Sequence, residues 1–347
     1  MISRMRCAQA QPIDSKSALT GLRMGKPRQL FIAIGGIALC IATTLSTTST
    51  SATPLYYTFA VTATTGPLTG TSSTGKFTFD SSVIPDGGGE VRRPGLFGDL
   101  AFVWNGIAYD ETTANTGVLR FDSQGHLVEG TFGNDCPSTL GGGCGVGAGN
   151  NQWLVYVAES AMASRFYYAT PSSYVDEGTV ILTTAAVEYH HRMFDHYFVT
   201  ALANEIRVLD EGRFPGWSRT GQSFPTYPLD TPGTANVCRF WSGTTFALKS
   251  SHFYTPYPDE CAKVKQDPVW QFEGYVFAWK MPVWGLLAAA CPPDSRPLYR
   301  AYNRGMSGAP NHRYTTDLAV LEEMVARGWQ VEGDLWTRIF ACVPAQE

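Results

Sequence analysis

Within seven positions the chain places His190, His191, Asp195 and His196, four side chains of the kind that ligate zinc-like ions. Their nitrogens and oxygens would have to converge about 2 Å from one ion, and a strand works against that by sending successive side chains to opposite faces. Only His196 has counterparts elsewhere, at His252 and His312. Three imidazoles meeting on a pseudo-threefold axis would hold a metal with an open coordination position, the site of a metal-assisted hydrolase; nitrogens more than about 8 Å apart would not. The plainer expectation is that each repeated histidine hydrogen-bonds inside its own repeat. Glu205, Glu260, Glu273 and Glu332 offer carboxylates for glycosidase-like chemistry, but acids placed so regularly fit helix N-terminal charges or strand-end partners better. G-x-S-x-G, H-E-x-x-H and G-x-x-x-x-G-K-[ST] are all absent from the sequence, so no catalytic residue and no cofactor is assigned.

The histidines belong to a phrase written three times. It runs histidine, aromatics and threonine, then tryptophan with a glycine four residues on. The copies are His196-Tyr197-Phe198-Val199-Thr200 with Trp217 and Gly221, His252-Phe253-Tyr254-Thr255 with Trp270 and Gly274, and His312-Arg313-Tyr314-Thr315 with Trp329 and Gly333. Phe224, Phe277 and Trp336 follow three residues after those glycines. A unit repeated in this way buries its apolar face against its neighbours. Between the two parts of each phrase lies a helical stretch: 204–211 with Ile206 and Leu209, a shorter 260–266 holding Cys261, and 317–327 with Leu318, Leu321, Met324 and Val325. Asp317 can cap the last helix and Gly328 can end it. The pattern predicts a mainly β chain with α+β repeats, in which three strand-strand-helix-strand units over 186–343 form a pseudo-threefold domain joined by their matched tryptophans.

Residues 53–184 have another character. Short alternating or aromatic runs at 55–62, 75–79, 100–104, 117–121, 153–157, 166–169 and 179–183 are divided by Gly, Ser, Asn and Asp turns, which predicts an antiparallel β-sandwich. Residues 1–52 have the form of a signal peptide, with Arg23, Lys26 and Arg28 ahead of an apolar run from Leu30 to Leu45 and small residues at Thr50-Ser51-Ala52. That run is shorter than the roughly 20 residues that span a bilayer, so no membrane span is expected in the mature chain. Removing it takes six basic residues and one acid from totals of 26 and 30, leaving 20 against 29 and a net charge near −9. With no Lys/Arg cluster, that balance excludes nucleic acid as a partner. Six cysteines remain, and export favours disulfides over a zinc site; fifteen connectivities are open, of which Cys136 with Cys144, Cys238 with Cys261 and Cys291 with Cys342 is the expected one. A periplasmic, cell-surface or extracellular location is expected.

The order and spacing of Val187-Glu188-Tyr189-His190, Asp195 to Thr200, Gly216-Trp217-Ser218-Arg219-Thr220-Gly221, Val237-Cys238-Arg239-Phe240, Ser251-His252-Phe253-Tyr254, Glu260-Cys261, Asn311 to Thr316, Gly328-Trp329 and Glu332-Gly333 resemble a secreted bacterial triple-repeat domain of unknown function. The resemblance covers residues 186–343 and implies an accessory, non-catalytic module. In the first half, Gly75 to Asp80 and Phe121 to Leu127 resemble the β-domain of exported proteins that carry Pro-Glu-Pro sorting signals, although the tripeptide itself is not in this sequence.

Aromatic residues outside the repeated positions are the candidates for a binding surface, because an indole or phenol ring offers an apolar face to a sugar or a protein. Trp241, Tyr257, Trp284 and Tyr302 are the residues singled out. The functional expectation is an exported binding or adhesion module for cell-surface or extracellular carbohydrate or surface protein. The alternative is a secreted hydrolase using the repeated histidines.

Overall fold

The computed structural model describes residues 54–92, 96–113, 116–134, 151–158, 163–170, 173–246, 248–285 and 288–345. The signal peptide and the Cys136–Cys144 pair expected from the sequence lie outside the described residues.

The first half is a run of antiparallel strands: β1 (Leu55–Ala63), β2 (Ser72–Phe79), β3 (Gly89–Arg92), β4 (Phe97–Trp104), β5 (Ile107–Asp110), β6 (Thr116–Phe121), β7 (Leu127–Asn134), β8 (Gln152–Val157), β9 (Arg165–Thr170) and β10 (Ser173–His191). Alternation sets the faces: in β1, Leu55, Tyr57, Phe59, Val61 and Ala63 are buried while Tyr56, Thr58 and Ala60 face solvent. The expected sandwich is built from one hydrogen-bonded sheet in the order β3-β6-β7-β8-β9-β10-β1-β2-β4-β5. It curls until its wings meet. Phe59 of β1 contacts Phe132 of β7 at 5.1 Å, Phe102 of β4 contacts Trp153 of β8 at 4.8 Å, and Trp104 of β4 contacts Phe166 of β9 at 4.7 Å between ring centroids. Gly75 makes room for this core, since a Cβ there would sit 2.3 Å from the Phe59 ring.

The boundary expected between 184 and 186 falls inside β10. This strand pairs with β1 and β9 in the sheet, then continues as the middle strand of the first repeat between β11 (His196–Thr200) and β12 (Trp217–Thr226). Helix α1 (Ala203–Asp210) connects β11 to β12. The second repeat has β13 (Ala235–Trp241) between β14 (His252–Thr255) and β15 (Gln271–Trp279), with α2 (Pro258–Val264). After the small hairpin of β16 (Val283–Trp284) and β17 (Ala289–Ala290), the third repeat has β18 (Ser295–Tyr302) between β19 (His312–Thr315) and β20 (Gln330–Glu332), with α3 (Leu318–Ala326). The closing strand β21 (Ala341–Pro344) pairs with β18. Each repeat therefore has one strand order and its helix between the second and third strands. A single buried apolar cluster runs from Leu55 to Val343 through both halves.

Asp317 caps α3 by accepting from the Ala319 N–H, and Gly328 follows the helix with φ +87°. Disulfides join Cys238 to Cys261 and Cys291 to Cys342. Among the described residues no helix is long and apolar enough to cross a membrane.

Candidate functional site

The strand registers give the true correspondence among the repeats, and it is not the one the histidines suggest. Glu188 pairs with Val199, Arg239 with Tyr254 and Arg300 with Tyr314. On that frame Thr200, Thr255 and Thr315 are equivalent, and each hydroxyl accepts from the backbone N–H two residues on, at Leu202, Tyr257 and Asp317. The residue matched to His252 and His312 is Tyr197, while His196 matches Ser251 and Asn311. The first phrase holds one extra residue between histidine and threonine, which displaces His196 by one position and therefore to the other face of its strand.

These shifted positions close the repeats into a ring. His196 Nδ1 lies 2.7 Å from the Ser250 carbonyl, Ser251 Oγ donates to the Pro310 carbonyl, and Asn311 Nδ2 donates to the Asp195 carbonyl at 2.7 Å. Each side chain thus grips the residue just ahead of the equivalent position in the next unit. Ring contacts repeat the cycle: Phe198 tilted against His252 at 4.5 Å, Phe253 edge-on to His312 at 4.9 Å, and the Arg313 guanidinium over Tyr197 at 4.3 Å.

Buried ion pairs hold the three seams. Arg239 donates to both oxygens of Glu205 at 2.8 and 2.7 Å, and Arg300 to both oxygens of Glu260 at 3.0 and 3.1 Å. In each case a helix carboxylate of one unit meets the middle-strand arginine of the next, with the planar fork matched to the carboxylate. At the closing seam the polarity reverses. Glu188 occupies the middle-strand position, is wholly buried, and takes Arg313 at 3.0 and 2.9 Å. Glu273 and Glu332 bind Arg239 Nε and Arg300 Nε within their own units at 2.9 and 2.8 Å, and Thr220 does the same for Glu188 at 2.7 Å. Burial opposes the charge on Arg239 and Arg300, but Glu205 and Glu273 around the first, and Tyr314 with Glu260 and Glu332 around the second, outweigh it and hold both above the usual arginine value.

The candidate metal ligands are not brought to one point. His252 Nε2 faces Glu273 at 3.6 Å and His312 Nε2 faces Glu332 at 3.5 Å, while His190 is paired with Asp195 at 3.0 Å. Burial, and after it the adjacent Arg239 and Arg300, push His252 and His312 well below the ordinary imidazole value. Among the described residues no group of three or more His, Cys, Asp or Glu is arranged to hold a metal ion. The signature glycines serve the backbone: Gly221, Gly274 and Gly333 have φ of +87°, +116° and +148°.

The matched tryptophans pack inside their units rather than joining them all. Trp217 meets Phe198 and Trp270 meets Phe253; Trp329 alone of the three reaches a ring in another unit, at Tyr197. The shared centre is made instead by Tyr254, Tyr314, Phe277, Trp279 and Phe340. Sequence reasoning missed Glu188, Arg239, Arg300 and Arg313. Arg239 and Arg300 lie 13 and 12 residues ahead of the histidines of their units, a spacing that could have marked them; Glu188, with the opposite sign, carried no such mark.

Of the proposed binding aromatics, three are half-buried and have partners within the fold. Trp241 Nε1 donates to Ser250 Oγ, Tyr257 OH donates to the Phe340 carbonyl, and Tyr302 stacks on His312 at 4.6 Å. Trp284 is different, with 66% of its surface exposed. Trp336, another residue of the repeated phrase, is 76% exposed. Its counterparts Phe224 and Phe277 are buried, and in the third unit Phe340 takes their place. A turn built on Asp334, which accepts from the backbone of Trp336 and Thr337 and from the Thr337 hydroxyl, carries Trp336 outward. The Ala289 backbone lies near the same carboxylate, and Ala289 is the strand partner of Trp284. The two exposed indoles therefore stand on adjoining turns, with Val283 and Leu335 exposed beside them.

A family model described as a domain of unknown function, DUF5648, matches residues 160–282 and again residues 188–339. The chain belongs to that family. Its description carries no activity. The match begins before β9 rather than at the first repeat, in keeping with a sheet and ring that share β10. No curated protein and no solved structure matches the chain.

Proposed function

We propose that this is an exported, non-catalytic module that holds extracellular carbohydrate on the surface formed by Trp284 and Trp336. The observation that carries this reading is Trp336: it fills a sequence position that is core in the other two units, yet it stands in solvent on a purpose-built turn beside a second exposed indole. Large exposed apolar rings mark interaction surfaces, and indole faces suit the C–H faces of sugar rings. The two disulfides among the described residues fit an oxidising compartment.

The test is a glycan array followed by pull-down on insoluble polysaccharides with the mature chain. Trp284→Ala and Trp336→Ala should each weaken retention at least tenfold while leaving the thermal midpoint unchanged. Retention that survives the double variant would end this reading, as would binding to a surface protein but to no glycan.

A further inference from the structure

One end of the repeat ring is built from six connections. The hairpin tips 192–195, 242–251 and 303–311 join the middle strand of each unit to its second strand. The third strands begin beside them, since His191 pairs with both His196 and Trp217, Trp241 with both His252 and Gln271, and Tyr302 with both His312 and Gln330. The helix-to-strand connections 211–216, 265–270 and 327–329 therefore turn at this end too. The tips form one continuous rim. The Ser250, Pro310 and Asp195 carbonyls gripped by neighbouring units are all tip residues, and Lys249 Nζ donates to the Ser307 carbonyl of the next tip at 2.7 Å.

The chain as a whole is acidic, at −4, yet this end is basic. Its connections carry Arg192, Arg213, Lys249, Lys265, Arg304 and Arg327 against Asp195, Glu211 and Asp267, an excess of three positive charges. These residues are scattered in sequence and gathered by the fold. Both Asp195 and Glu211 are already paired, with Arg327 and Arg213. Arg192 and Arg304 are exposed and have no side-chain partner among the described residues. Lys249 keeps two N–H groups beyond the one on Ser307, and Lys265 lies over the Phe272 ring at 3.9 Å. On the last helical turns just behind, Arg207 and Asp210 are paired with Asp86 and Arg219, and Lys263 and Glu323 have opposite signs.

Each tip also raises an apolar side chain close to its cation. Met193 beside Arg192 is 85% exposed, Leu248 beside Lys249 is 88% exposed, and Met306 near Arg304 is 39% exposed. Phe214, beside Arg213, is exposed as well. Leu248 stands out at φ +77°, a conformation that a leucine rarely takes and that no burial offsets here. Apolar tips parted by cations suit the surface of an anionic bilayer, where the tips enter between headgroups and the cations meet phosphates. A nucleic acid offers single aliphatic side chains no apolar layer and is met by stacked aromatic faces. A protein interface gathers its apolar side chains in a core with polar groups at the rim, which is the reverse of this arrangement.

We propose that the three hairpin tips seat this end of the ring on the surface of an anionic bilayer, with Met193, Phe214, Leu248 and Met306 among the headgroups and Arg192, Lys249 and Arg304 on lipid phosphates. The attachment is peripheral. Trp284 and Trp336 lie on connections at the opposite end of the ring, after β15 and after β20, so this surface and the indole surface stand or fall separately.

The experiment sediments the mature chain with vesicles of phosphatidylcholine alone and of phosphatidylcholine with about one third phosphatidylglycerol. Retention is expected on the second and not on the first, and it should weaken in about 1 M sodium chloride, where the screening length is about 3 Å. Arg192→Gln with Arg304→Gln should weaken it by about tenfold or more, since each cation near the surface contributes about fivefold. Met193→Ser with Leu248→Asn should weaken it by about as much through the loss of inserted side chains. All four side chains are exposed, so both variants should keep the thermal midpoint. Trp284→Ala with Trp336→Ala should leave retention unchanged. No retention on the anionic vesicles, equal retention on both kinds, retention undiminished in either tip variant, loss in the indole variant, or tighter binding to a single-stranded oligonucleotide than to the vesicles would each overturn the proposal.

Discussion

The curled sheet and the repeat ring bury different things. Facing strands of the sheet meet through rings with no charge, such as Phe59, Phe102, Phe132 and Trp153. The ring units meet through Arg239–Glu205, Arg300–Glu260 and Arg313–Glu188, each a two-bond charged clasp taken largely out of water. Apolar burial is non-directional and tolerates sliding, while a bidentate pair fixes one register and is costly when half of it is removed. The sheet is therefore stabilised by how much it covers, and the ring is specified by which residues face each other.

The largest expected effect separates the two modes. Trp153→Ala in the sheet and Glu188→Ala at the closing seam should each cost about 3–5 kcal/mol in urea unfolding, one through a cavity and the other through a stranded guanidinium. Only the second can be rescued from across the interface. Adding Arg313→Met to Glu188→Met should return most of the loss, because a buried ion pair can be replaced by apolar side chains at little cost. If the double variant is no more stable than Glu188→Met alone, the seam is not held by charge in the way described.

Reduction sharpens the contrast next. The disulfides among the described residues lie in the ring, spanning 51 residues for Cys291–Cys342 and 23 for Cys238–Cys261. Loop-closure entropy puts their contributions at about 4 and about 3 kcal/mol. Hydrogen exchange after reduction should show β13 to β21 losing protection while β1, β7 and β8 keep theirs. Equal loss in both halves would mean that the shared strand β10 couples them into one cooperative unit.

Acid should find the ring before the sheet. His252 and His312 are held below the ordinary imidazole value of 6.5 by burial and then by Arg239 and Arg300. Their contribution is fully present above pH 6.5 and is lost as pH falls toward the depressed values, at up to about 1.4 kcal/mol per pH unit for each ring. Glu273 and Glu332, raised by burial, act with the opposite sign: their contribution is present below the ordinary carboxyl value and is lost as pH rises through the raised one. Urea midpoints between pH 7.5 and 5.5 should fall in the native chain and fall less in His252→Gln/His312→Gln, where His191 and His196, also lowered by burial, still contribute.

Much of this was legible in the chain. Helix α3 with its Asp317 cap, the alternation of β1 and the strand-strand-helix-strand order follow from local patterns that local physics decides. The seams did not. Letters alone aligned His196 with His252 and His312, but the fixed point of the unit is the threonine whose hydroxyl caps the next turn, and one inserted residue moved the histidine off the shared position. Glu188 and Arg313 stand 125 residues apart, and their signs are reversed relative to the other seams, so repetition concealed the pair. Trp336 has the same spacing in its phrase as the buried Phe224 and Phe277; the Asp334 turn and the substitute Phe340 become visible only when the chain is folded.

The smallest expected effect tests whether a seam also finishes a helix. In the first two units the third helical residue is Glu205 or Glu260, whose negative charge sits in the first turn and is clasped by the next unit's arginine. Neither helix has a side-chain cap, since Leu202 and Tyr257 occupy those positions. The third unit has Val320 at the equivalent place and no acid in its first turn, so the start of α3 depends on Asp317. Asp317→Ala should cost about 1 kcal/mol, a fall of about 2 °C or less in the thermal midpoint for a chain of this size. Adding Val320→Glu should recover about 0.3–1 kcal/mol from the helix dipole. Recovery of the whole loss would mean that charge alone is needed there, and none would mean that the cap hydrogen bond is irreplaceable, so that in the first two units the clasped glutamate must do more than balance the dipole.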